Sequence, residues 1–464
     1  MQDSEKGGAK EDGPPTPVGF WDPKLKHIRH ESMSKWLLTT VVLMCFILSV
    51  LSIYWAVFFH VDANLSSLVV YIVDFDGKPP FETRPPPFVG PMISELGVQM
   101  IQTIPHLGYG SLPASQFNND PIAVRQAVYN WDAWAAIIIN PNATSMLYSA
   151  IRSSNSSYDP FGACQLIFQT ARDDTSYYNY VLPQLEMFMT EATSMVGQEW
   201  ARMVAANASD PAVVAGMQAA PQALSPAIGF SRFDLRPFHP YTATPTVSIG
   251  LIYLIILSFF SFSFYLPIHM KYLVPKGHPP LKFWQLIVWR WVATITAYLF
   301  LSLAYSLISL AFQINFSGGN PVTSETEVTM IEYGNPDAYG RGTFPVYWML
   351  NYWGMFALGL ACENVAMIVG QPWTGLWLIF WVITNVSTAF YAIDIEPRFY
   401  YLGYAFPLHQ VVEGSRQILF DLHSRIGLNF GILIAWAAVN TAFFPLCCYW
   451  MRFKNNHGLH EYWA

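Results

Sequence analysis

"WLLTTVVLMCFILSVLSIYWAVFF", Trp36–Phe59, carries no charged residue over about 24 positions. A helix of that length rises about 36 Å and crosses a hydrocarbon core of about 30 Å with some tilt. About 35 hydrophilic residues precede it and no small-residue cleavage pattern follows a short apolar core, so a retained signal anchor is expected. Five more runs are apolar enough to span: Thr246–Ile268, Trp291–Phe312, Phe344–Val369, Trp373–Ala392 and Leu428–Met451. The expected fold is a polytopic α-helical membrane protein with six transmembrane helices and one long hydrophilic interval between the first two.

Composition agrees. Of 464 residues, 53% are hydrophobic and only 12% charged, about half the charge of a soluble domain. The 17 Trp and 25 Tyr suit interfacial anchoring. Lys24, Lys26, Arg29 and Lys35, then Lys271, Lys276 and Lys282, then Arg452 and Lys454 fall on one side of the expected spans. That excess places both termini in the cytosol and the long interval outside or in a lumen. N-x-S/T sequons at Asn64, Asn142, Asn155, Asn207 and Asn315 lie on the outer side, whereas the one at Asn385 sits inside a span. Cys164 is the single Cys of the outer interval, so no disulfide forms within it, and no Cys/His spacing suggests a metal. The net charge of −7 argues against nucleic acid as a partner.

The organisation expected is a cytosolic tail over 1–35, a first span over 36–59, an extracytoplasmic α/β domain over 60–245, a membrane domain over 246–451 and a short tail over 452–464. Within the first tail, "WDPKLKHIRHESMSKW" reads either as an amphipathic helix on the inner leaflet or as ordinary basic flanks of a span. In the α/β domain, "LSSLVVYIVDFDGKPP" is a strand entering a turn, "FVGPMISELGVQMIQT" a helix, "AWAAIIINPNATSMLYSAIRSS" a buried strand followed by a helix, and "ACQLIFQTARDD" another strand. A long helical stretch from Thr175 to Ala206 is expected to break near Pro183. Asp74 and Asp76 share a strand face and could bind calcium or act as acid and base; shaping a turn is the commoner use of such a pair.

No phosphate-binding loop, zinc-protease helix, nucleophile elbow or dinucleotide fingerprint occurs, so no catalytic residue and no cofactor is expected. The candidate substrate-pathway residues are instead polar groups at membrane depth. Glu363, with Asn364 beside it and Asn351 earlier in the run, either lines a pathway or bonds one helix to another. "FPLHQVVEGSRQILFDLHSR", Phe406–Arg425, is too polar to span yet repeats apolar residues at helical spacing. It is expected to be part of a re-entrant element over about 404–425, with Glu413 and Arg416 paired at i, i+3.

One span, an outer domain, then five spans with a re-entrant element before the last resembles the ABC-2 type permease fold. "VVYIVDFDG" (Val69–Gly77), "PFVGPMI" (Pro87–Ile93), "WAAIIINPNATS" (Trp134–Ser145) and Tyr404–Trp436 are similar to blocks of the fungal nitrosoguanidine-resistance family. The resemblance implies a plasma-membrane or secretory location, a homodimer, and a role in drug resistance and membrane lipid distribution; the outer sequons add the expectation of a glycoprotein. It also implies a transporter-like protein with no ATPase of its own that moves lipids or amphipathic compounds, or a regulator that acts through partner proteins. By analogy, the basic loop "HMKYLVPKGHPPLKFW" corresponds to the coupling helix of such permeases.

Overall fold

The computed structural model describes residues 17–79, 85–274, 277–314, 316, 339–370 and 373–457. Contacts divide the chain into two units, Met1–Ser52 and Ile53–Ala464. In the first unit, the Asp22 carboxylate accepts a bond from Lys24 N (2.8 Å) and starts a 3₁₀ turn that runs into α1 (Lys26–Phe46). Neither Gly nor Pro interrupts α1, so the basic segment and the start of the apolar run share one helix. A separate amphipathic helix is therefore not found.

The second unit opens with an α/β domain. Its sheet has the order β2-β1-β3-β4-β5: β1 (Val69–Asp74), β2 (Gly108–Pro113), β3 (Ala135–Ile139), β4 (Cys164–Phe168) and β5 (Phe230–Asp234). Only the β3–β4 pair is antiparallel. Every residue of "AAIII" in β3 is buried, as expected for a strand covered on both faces. Ala135, Ile137 and Ile139 face a cluster with α2 (Val89–Met100), while Ala136 and Ile138 face α3 (Pro121–Tyr129). The first face is also covered by α4 (Ala143–Arg152), α5 (Leu182–Ala206) and α6 (Pro211–Ala219). The expected break near Pro183 is not an end of the helix: a π turn over Tyr177–Val181 runs directly into α5, with Pro183 in the first turn of α5. Cys164 is buried and free, and burial pushes its thiol up.

Asp74 and Asp76 adopt the turn role. Asp76 N donates to Asp74 Oδ1 at 2.8 Å. The buried Asp76 carboxylate accepts from Thr144 N (3.0 Å), Thr144 Oγ1 (2.5 Å) and Gly90 N (3.2 Å). Thr144 Oγ1 in turn accepts from Val89 N at 3.1 Å. One side chain thus satisfies the first-turn donors of both α2 and α4.

Beyond the domain the chain forms α7 (Ile252–Met270), α8 (Phe283–Ala311), α9 (Thr343–Val369), α10 (Thr374–Val386), α11 (Pro407–Phe420) and α12 (Ile426–Asn456). Five helical runs are long and apolar enough to cross a membrane: Pro23–Phe58, Tyr241–Leu273, Phe283–Ala311, Thr343–Val369 and Ile426–Asn456. The chain is a polytopic helical membrane protein. The α9 helix is the hub, with 72% of its most apolar window buried. It admits neighbours closely: a Cβ on Gly359 would lie 2.5 Å from Ser258 Cβ, and one on Gly354 2.5 Å from Val411 Cγ2.

The expected fifth span, Trp373–Ala392, is helical only over the 13 residues of α10, a rise of about 20 Å. Its last turn contains Asn385, whose Oδ1 accepts from Leu408 N (3.3 Å) in the first turn of α11. The hydroxyl of Thr388 bonds back to Asn385 O at 3.2 Å, and the chain leaves the helix there. The loop between α7 and α8 holds one 3₁₀ turn, Lys271–Leu273, and no coupling helix among its described residues.

Asp76→Ala should remove the shared cap and cost the full chain about 2–4 kcal/mol. Thermal unfolding of the purified protein, with limited proteolysis reporting on 69–234, checks this; an unchanged midpoint contradicts the double-capping role.

Candidate functional site

The charges of Phe406–Arg425 turn outward from their own helix. Arg416 Nη2 lies 3.2 Å from Asp174 Oδ1 and 3.5 Å from Asp173 Oδ1, both in the α/β domain. Asp421, just past the end of α11, pairs in the opposite sense, with Arg236 Nη2 at 2.9 Å. Its carbonyl accepts from Arg236 Nε (2.9 Å) and Tyr129 OH (3.3 Å). The expected Glu413–Arg416 pair does not form, because both charges find better-placed partners. Glu413 Oε2 accepts from Asn429 Nδ2 at 2.9 Å, and His409 Nε2 stands 3.9 Å away. Asn429 also donates to Gln410 (2.8 Å) and accepts from Gln417 (3.1 Å), so an amide network joins α11 to α12.

A charged cavity of about 280 Å³ lies at this junction. Glu413, Arg416 and His409 reach it from α11; Arg172 and Asp173 reach it from the domain; Asp394 comes from the loop between α10 and α11. Arg172 stacks on Trp134, its guanidinium carbon 3.9 Å from the ring centre, and Trp131 lies beneath both Arg172 (5.1 Å) and Arg425 (5.0 Å). His409 Nδ1 is 2.9 Å from Thr388 O, a carbonyl that only an N–H can satisfy. The site can hold a small group carrying both signs of charge. Arg172, Asp173, Asp174 and Arg236 were not legible as site residues. "TARDD" and "FDLRPF" announce charge but not a partner 180 or more positions away.

Beside the cavity, Glu396 is 2% exposed and neither carboxyl oxygen has a hydrogen-bond partner. Burial, reinforced by Asp173, pushes its carboxyl up to about 9. Asp234 is pushed up to about 6 by burial, against bonds from Thr170 and Arg236 N that favour its charged form.

Glu363 and Asn364 do not join this cavity. Glu363 lies nine positions beyond Gly354, the residue that meets α11, or roughly 13 Å along α9. Its Oε1 pairs with Arg290 Nη2 at 2.6 Å, and its Oε2 accepts from Thr294 Oγ1 at 3.4 Å. Asn364 Nδ2 donates to Asn440 O at 2.9 Å. Glu363 heads a buried polar seam that the sequence shows only in hindsight. Arg290, Thr294, Tyr298, Ser302 and Ser306 recur every fourth residue along α8, with Ser309 closing the row. Asn351 Nδ2 meets Ser306 Oγ (3.0 Å) and Tyr347 OH meets Ser309 Oγ (3.2 Å) on the facing α9.

Of the sequon residues, Asn207 is exposed at the end of α5, and Asn142 and Asn155 are half-buried. Asn64 donates to Ile395 O at 3.0 Å, and Asn315 lies outside the described residues. Among the described residues, no cluster of metal-ligating side chains occurs.

Two outcomes follow. Between the unfolded carboxyl pKa near 4.3 and about 9, Glu396 holds a proton in the folded protein that the unfolded chain has lost. Its contribution therefore makes stability fall as pH rises through that window, and Glu396→Gln should flatten the pH profile of the unfolding midpoint there. Separately, Glu363→Ala strands the Arg290 charge and should cost about 3–5 kcal/mol, whereas Arg290→Met with Glu363→Leu should recover most of it. Equal losses in single and double variants would contradict a bolting role for the pair.

Residues 39–442 match the family model described as "Protein of unknown function (DUF3533)". The chain is also 26% identical to the "Uncharacterized endoplasmic reticulum membrane protein YJR015W" of Saccharomyces cerevisiae, over 93% of this chain and 83% of that protein. No solved structure matches it. The match over most of its length makes this chain a member of the DUF3533 family of membrane proteins.

Proposed function

We propose that the protein is a transporter-like membrane protein that moves, or controls the distribution of, lipids or amphipathic toxicants and so confers resistance. The seam on α8 carries this reading. It runs from Arg290 to Ser309, about 28 Å, roughly the thickness of a hydrocarbon core. Hydroxyls, an amide and an ion pair at such depth are costly unless they serve packing or passage. The charged cavity at the domain end supplies a place for a polar head group, with apolar membrane helices beside it.

On this reading the fold is an ABC-2 permease derivative without its own ATPase, α10 and α11 together stand where a sixth span would lie, and a homodimer is the expected assembly. The relative described as an endoplasmic reticulum membrane protein supports a secretory-pathway membrane. The excess of Lys and Arg on one side of the spans supports cytosolic termini and an α/β domain outside. Catalysis is not part of the proposal. A second reading, a non-transporting regulator that binds lipids or partner proteins, is favoured by one observation: seam hydroxyls are already bonded to their own helix, Ser302 Oγ donating to Leu299 O and Ser306 Oγ to Ser302 O.

The experiment follows a fluorescent aminophospholipid and an alkylating toxicant in cells lacking the protein, complemented at matched membrane abundance with wild type, Glu363→Gln or Ser306→Val. A transporter restores movement only as wild type, with at least about tenfold loss in a variant. Equal resistance from all three with no change in flux makes the protein a regulator.

A further inference from the structure

The end of the bundle remote from the α/β domain contains a second cavity, of about 530 Å³, where α7 ends, α8 begins and α12 ends. Its walls are mostly apolar, with Leu273, Leu281, Leu286, Ile287 and Met451, and Asn455 and Asn456 complete them. Arg290 and Arg452 are its charged lining residues, and none of its described lining residues is a carboxylate. A volume of this size is in the range that holds a small ligand or a lipid head group with the first part of its chain.

Arg290 is what makes this more than a gap between helix ends. It is 2% exposed, and its Nη2 is committed to Glu363. Nη1 reaches only the weak acceptor Cys448 Sγ, at 3.6 Å, and Nε is buried with no hydrogen bond. A desolvated guanidinium donor left unmet is destabilising, and an anionic oxygen would satisfy it. Arg452 adds a second cation at the rim, its guanidinium carbon 4.5 Å over the Phe283 ring. On its other side, Arg452 borders a groove formed by Leu446, Tyr449, Trp450 and Phe453 of α12, three of them aromatic and all exposed. Lys271 and Lys282 flank the same end, so the local field is positive.

We propose that this cavity is a binding site for an anionic amphiphile of the adjoining leaflet. Its phosphate or carboxylate lies between Arg290 Nε and Arg452, and its acyl chain lies against Leu273, Leu286 and Met451. A zwitterionic lipid fits less well, because its ammonium would enter a lining with two cations and no carboxylate. A free phosphate fits less well: beyond the two arginines only Asn455 and Asn456 are polar, and Leu273, Leu281, Leu286, Ile287 and Met451 would be left without an apolar partner. Since Arg290 also holds Glu363, an occupant here touches the ion pair at the head of the seam. The site is independent of whether anything crosses that seam.

The full chain is reconstituted in phosphatidylcholine nanodiscs containing no anionic lipid, phosphatidic acid or oleate, and inorganic phosphate is added to the first in a parallel arm. Native mass spectrometry reads retained lipid, and thermal unfolding reads stabilisation. Phosphatidic acid or oleate should be retained and should raise the midpoint, while phosphate alone should do neither. Arg452→Glu and Leu273→Trp, both at the rim, should each weaken retention by about tenfold or more. Arg290→Lys keeps the charge facing Glu363 but lacks Nε, and should weaken it comparably where it folds. Retention of phosphatidylcholine as strong as that of phosphatidic acid, an equal effect of inorganic phosphate, or full retention in Arg452→Glu and Leu273→Trp would each overturn the proposal.

Discussion

Two ion pairs of opposite sense hold the α/β domain to α11. In one the bundle supplies the cation, Arg416 to Asp173 and Asp174; in the other it supplies the anion, Asp421 to Arg236. Charges this deeply buried carry a desolvation cost comparable to their attraction, so their value lies less in net stability than in register. A sliding or rotated dock would part these five charges from one another. Reversed polarity at the two ends rejects the most obvious misalignments, since any swap sets like charge against like. The charged cavity, lined by Arg172 and Asp173 of the domain and by His409, Glu413 and Arg416 of α11, depends on that register.

The same constraint explains why a segment as polar as Phe406–Arg425 survives beside membrane spans. Its apolar residues, Leu408, Val411, Val412 and Leu419 among them, are buried against the bundle. Arg416 and Asp421 face a folded domain and Glu413 faces α12, and the backbone stays helical between Pro407 and Phe420. Within the bundle the logic differs. There the polar groups meet across helix faces, and the missing side chain of Gly359 admits Ser258 and Tyr298.

Much of this was legible in the sequence where the signal is local. The strand Val69–Asp74, the buried "AAIII" of β3 and the long apolar helices follow from periodicity and run length, because burial on both faces or by lipid leaves a continuous imprint. The length of α10 was not legible, because Ser387, Thr388 and Ala389 read as tolerable span residues until Asn385 is seen capping α11. The Glu413–Arg416 pairing failed for a related reason. Spacing on one helix identifies neighbours, but a partner on a distant element with better geometry wins, and spacing cannot reveal it. The seam on α8 was hidden because Thr, Ser and Tyr at every fourth position lower hydropathy too little to stand out among Leu, Ile and Trp.

The shortness of α10 has a consequence for the surrounding lipid. Its rise of about 20 Å falls roughly 10 Å below the hydrocarbon thickness of an ordinary bilayer, while its neighbours α8 and α9, at 29 and 27 residues, exceed that thickness. Were α10 alone to meet the whole core, acyl chains beside it would compress or tilt where those beside α8 need not. The protein would then wear a lopsided lipid collar, pinched on one flank, and each ångström of that pinch would carry a small elastic penalty. A thinner membrane relieves the penalty on the short flank, and the long helices adapt to it by tilting, so bilayer thickness itself becomes a term in where this chain is most comfortably seated.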